Sequence, residues 1–106
     1  MSVSNRFRDI AKDVAVFRTE LKSCDPRAEQ GARIVKKASK GLQEWVDQVG
    51  EVPRMRLESQ LTPILMKAHD TLDKARLVFE DIEGLDAQAD AAWDLQQRIY
   101  RLLNDL

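Results

Sequence analysis

The sequence predicts an all-α protein, an antiparallel up-down four-helix bundle occupying one domain, 1–106. Three observations predict it. Apolar residues recur at alternating spacings of four and three in four successive segments, the period of one face of a helix. Proline and glycine punctuate the borders of those segments, at Pro26, Gly50, Pro53 and Gly84. The connections between them are short, which leaves antiparallel neighbours as the simplest packing.

The first helix is predicted over 5–22, with Ser4 or Asn5 as its cap and Val3, Phe7, Ile10, Val14, Phe17 and Leu21 on its stripe. Its opposite face is charged. The second runs over 26–49: Asp25 is a favourable N-cap, Pro26 suits the first helical position, and Gly50 supplies a stop. Ala28, Gly31, Val35, Ala38, Leu42, Trp45 and Val49 form its stripe.

The third and longest helix is predicted over 53–83. Its stripe is Leu61, Leu65, Ala68, Leu72, Ala75, Phe79 and Ile82, and Leu57, Ile64 and Val78 form a weaker second row. Pro63 falls inside it and removes the partner of the Ser59 carbonyl, so a kink near Pro63 is expected rather than a break with Thr62 as a new cap. Its length exceeds that of the first and last helices, so part of it should project beyond a four-helix core. The last helix is predicted over 86–106, with Leu85, Ala92, Leu95, Ile99, Leu102 and Leu106 on the stripe.

Composition fits a folded, soluble chain: 43% hydrophobic and 33% charged residues, with four glycines and three prolines. No apolar run approaches the roughly 20 residues that span a bilayer. The charged N-terminal stretch does not read as a signal peptide. Ser2 stands where myristoylation needs glycine, and the last residues carry no CaaX box. The lone Cys24 suits a reducing compartment, so a cytoplasmic location is expected. Residues 1–53 hold ten Lys/Arg against eight Asp/Glu, and residues 54–106 seven against ten. That asymmetry is too small to predict nucleic-acid binding.

No catalytic or cofactor signature stands out. His69 is the only histidine, and the position three before it is Met66 where a bundle metal site would place glutamate. Asp86, Asp90 and Asp94 form an acidic ladder at four-residue spacing, and Glu80, Asp81 and Glu83 lie nearby. An all-helical magnesium-dependent nucleotide hydrolase would draw on Asp70, Asp73, Glu80, Glu83 and Asp90. Of the facing pairs of carboxylates three residues apart that it needs, the chain offers Asp70 with Asp73 and little else, and acidic residues early in a helix are already explained by its dipole. A third class, a membrane-active or cell-death-type bundle, is opposed by the mixed charges of the first helix. The Trp-x-Gly turn of small secreted helical hairpins is not matched, because Val46 and Asp47 follow Trp45.

Two surface features point to binding. Arg33, Lys36, Lys37 and Lys40 make a basic patch on the second helix, opposite its stripe. The acidic ladder is its natural complement, within the bundle or across a dimer. The last helix also carries a second row, Ala89, Trp93, Gln96, Tyr100 and Leu103. One apolar face suffices for a simple bundle, so this row either widens the core or forms an exposed patch anchored by aromatics. The expectation is a non-enzymatic helical interaction module, an adaptor, assembly or regulatory subunit that self-associates through coiled-coil-like helix faces. Trp93, Tyr100, Leu103, Arg33, Lys36, Lys37 and Lys40 are its expected contacts, with no metal, cofactor or stable membrane insertion.

Overall fold

A computed structural model of the chain describes residues 2–106. It contains four helices, α1 (Val3–Lys22), α2 (Glu29–Gln43), α3 (Arg54–Glu80) and α4 (Asp86–Asp105), with 3₁₀ turns at Pro26–Ala28 and Val49–Glu51. α1 packs on α2, α2 on α3, α3 on α4, and α4 returns to α1. The helices therefore stand round a square in chain order, an up-down bundle measuring 45 × 22 × 21 Å.

Polar contacts fix the antiparallel register of each seam. Arg6 meets Asp105 and Asp13 meets Arg98, both at 2.6 Å, so α1 rises as α4 descends. Gln43 donates to the Ala11 carbonyl and Arg8 to the Val46 carbonyl across α1 and the end of α2. Arg27 Nη1 donates to the Glu83 carbonyl at 2.8 Å, tying the start of α2 to the end of α3. Asp73 and Gln96 join α3 to α4.

The core is built from the predicted stripes. Phe7, Ile10, Val14, Phe17 and Leu21 of α1 are buried with Val35 and Leu42 of α2, Leu61, Leu65, Leu72 and Phe79 of α3, and Leu95, Ile99 and Leu102 of α4. Phe17 and Phe79 meet edge to face at 6.2 Å, a favourable aromatic geometry. Gly31 lets α2 close onto that pair: a Cβ there would stand 2.2 Å from Cε1 of Phe79.

Four boundaries differ from the sequence reading by two residues or more, each for a physical reason. α1 starts at Val3 because Ser2 is its cap, accepting the Asn5 N–H at 3.2 Å. The Ser4 hydroxyl is instead turned toward the Val49 carbonyl. α2 is shorter than 26–49 at both ends. Asp25 caps a 3₁₀ turn rather than the α-helix itself, and the helix stops at Gln43, ahead of Gly50. There α1 supplies replacement donors: Arg8 and Ser4 take the Val46 and Val49 carbonyls, so residues 44–49 need not stay helical to satisfy their backbone. Val49 is still buried, and Trp45 is half-buried.

α3 ends at Glu80, short of residue 83, because Arg27 takes the Glu83 carbonyl and Gly84 turns back with φ 92°. A positive φ is glycine's territory, and the turn delivers Leu85 into the core. At Pro63 α3 continues as one helix. The buried Leu61 and Leu65 bracket the proline and keep the stripe unbroken. The first seven residues of α3, 54–60, bury no side chain completely, and Met55 is 95% exposed, as expected for the overhanging end.

Candidate interaction surfaces

The second row of α4 divides between core and surface. Gln96 is completely buried and Ala89 nearly so; Leu103 lies half-buried against the core, while Trp93 and Tyr100 are 49% and 54% exposed. The two aromatics are seven residues apart and therefore point within about 20° of each other. Neither the wide-core nor the exposed-patch expectation holds for the whole row.

A polar cluster at the α3–α4 seam separates the two halves. Gln96 Nε2 donates to Oδ1 of Asp73 at 3.0 Å, and Arg76 donates to the same oxygen through Nη2 at 2.7 Å. Arg76 Nη1 reaches Glu80 at 2.6 Å, and the guanidinium lies over the Trp93 ring, 5.3 Å from its centre. The Arg76 hydrogen bond, reinforced by Gln96, holds the Asp73 carboxyl below its ordinary 3.8. Arg76 is correspondingly held in its charged form by Asp73. Trp93 is thus covered on one face by Arg76 yet keeps about half its surface in water.

Met66 and Leu77 extend the apolar surface. Both are about half exposed, and eleven residues along a helix return to nearly the same direction, so they share the outer line of α3. The row Leu57, Ile64 and Val78 does not join them: all three are half-buried, and Ile64 faces α2 rather than α4.

Arg33, Lys36, Lys37 and Lys40 are all exposed. Arg33 pairs with Glu29 one turn earlier on its own helix at 2.7 Å, and no ion pair among the described residues reaches the acidic ladder. The reason is topological: α2 and α4 stand on a diagonal of the square, so the expected pairing within the bundle does not form. Lys37 and Lys40 instead border a groove of about 580 Å³ between α2 and α3, opposite Lys67 and Lys74. Its apolar floor includes Ile34, Trp45 and Ile64. Sequence reading missed the α3 side of this groove, although Lys67 and Lys74, seven apart, carry the signal of one helix face.

Two of the carboxylates that a metal-dependent hydrolase would need, Asp73 and Glu80, are both engaged by Arg76. Among the described residues, no three of Asp, Glu, His and Cys converge to hold a metal. His69 is half-buried on the rim, with Nδ1 3.5 Å from Asp70. Cys24 is an exposed free thiol whose sulfur accepts from Gln88 Nε2 at 3.0 Å. No described helix is long and apolar enough to cross a membrane. Comparison with protein-family models, curated proteins and solved structures gives no match.

Proposed function

We propose that this chain is a non-enzymatic helical interaction module, an adaptor, assembly or regulatory subunit that works in the cytoplasm by docking through helix faces and associates with copies of itself. The observation that carries the reading is the pair Trp93 and Tyr100, each about half exposed on one line of α4, with Trp93 braced by Arg76. Exposed aromatics cost free energy in water and dominate binding when they enter a partner's pocket. The Arg76 brace reduces the side-chain ordering that binding would otherwise require. Met66 and Leu77 widen the same face. Leu103, half-buried against the core, contributes at its edge.

The test is the double substitution Trp93→Ala, Tyr100→Ala, read by light scattering for association and by circular dichroism for helicity. Loss of association with helicity retained supports the reading. Association equal to that of the unaltered chain refutes it, and loss of helicity assigns the two aromatics to the core.

A further inference from the structure

The exposed acidic and aromatic ridge of α4 and the α2–α3 groove are complementary in charge, and they lie on different helix pairs of one molecule. Asp86, Asp90 and Asp94 run along the exposed side of α4, next to Trp93 and Tyr100. None of the three aspartates has an ion-pair partner among the described residues. The groove is the converse: Lys37, Lys40, Lys67 and Lys74, none of them in an ion pair among the described residues, outnumber its one carboxylate, Glu44, around the apolar Ile34, Trp45 and Ile64. A seven-residue separation on a helix rises about 10.5 Å, so Trp93 to Tyr100 and Lys67 to Lys74 advance by the same step.

We infer that the self-association proposed above is head to tail, with the α4 ridge of one copy seated in the α2–α3 groove of the next. The occupant is thus a second copy of this chain. Carboxylates of the ridge meet lysines of the groove, and the two aromatics enter its apolar floor. Because the two surfaces differ and face different directions, one partner does not cover both. Each copy keeps a free ridge at one end and a free groove at the other. Such a contact propagates past the dimer into a ring or a filament. It also weakens with added salt, because both sets of charges are solvent-exposed.

The inference rests on the interaction-module reading, and complementation separates the two. One variant disables the ridge, Asp90→Lys with Asp94→Lys; another disables the groove, Lys37→Glu with Lys40→Glu. All four positions are exposed, and Arg33 and Lys36, one turn before Lys37 and Lys40, favour the new carboxylates on the helix. The unaltered chain should rise with concentration to a mass more than twice its 12.1 kDa. Each variant alone should remain monomeric, because like charges then face each other. The equimolar mixture should associate again past the dimer, because the unaltered ridge of one variant meets the unaltered groove of the other and the reversed charges of the remaining ridge and groove also attract. A mixture that stays monomeric, or an unaltered chain that stops at the dimer, overturns the head-to-tail contact. If Trp93→Ala, Tyr100→Ala still abolishes association in that case, the interaction module stands without it. An unaltered chain that stays monomeric while its groove binds anionic phosphatidylserine vesicles also overturns the inference and assigns the lysines to a membrane surface.

Discussion

Gly31→Ala tests the packing that holds both surfaces in place. On an exposed helix, replacing glycine by alanine stabilises by about 0.8–1 kcal/mol, because glycine loses more backbone freedom on folding. At position 31 the new methyl would stand 2.2 and 2.4 Å from Cε1 and Cζ of Phe79, more than 1 Å inside ordinary contact. Phe79 is completely buried and already packed against Phe17, so relief requires the ring or α2 itself to move. Overpacking of this kind costs about 1–3 kcal/mol, which exceeds the propensity gain. The expected net effect is a loss of about 1 kcal/mol, or a fall of roughly 4–8 °C in Tm for a domain near this size. Gly41→Ala is the control, since nothing lies within 4 Å of a Cβ there. It should stabilise by up to about 1 kcal/mol. Urea denaturation of both variants, with m unchanged, gives the comparison. Equal stabilisation by the two substitutions would refute the close approach of α2 and α3.

The seam cluster yields two further expectations. Asp73→Ala strands the buried Gln96 amide and should cost about 1 kcal/mol, the low end of the range because Asp73 is 39% exposed. Gln96→Leu removes a carboxamide oxygen that is buried without a partner, so it should lie between neutral and about 1 kcal/mol stabilising in the same urea assay. Acid should weaken the fold through the same carboxyl. Folded Asp73 titrates below 3.8, so the unfolded chain takes up that proton at higher pH; the stabilisation is complete above about pH 4 and is lost as pH falls through the lowered pKa. The denaturation midpoints of the unaltered chain and Asp73→Asn should therefore differ at neutral pH and converge in acid, and parallel curves would refute this.

The core was legible in the sequence because burial in a helical bundle follows the 3.6-residue period, and Phe7, Val14, Leu65, Leu72 and Ile99 lie on the predicted stripes. Helix ends were less legible where distant groups decide them. Nothing local around Leu42 shows that Arg8, some forty residues earlier, will take the Val46 carbonyl and end α2, or that Arg27 will take the Glu83 carbonyl beyond α3. The candidate surfaces were half visible. Trp93 and Tyr100 could be found as a row one heptad apart, but whether Gln96 between them was core or surface depended on Asp73 across the seam. The basic patch was visible on α2 alone. Its continuation to Lys67 and Lys74 needs the α2–α3 register, which a helical wheel does not contain.

Association through exposed helix faces is read from the absolute mass of the unaltered chain. Light scattering on a sizing column over a concentration series should show a mass that climbs from that of one chain as concentration rises. A mass fixed at 12.1 kDa throughout would contradict self-association.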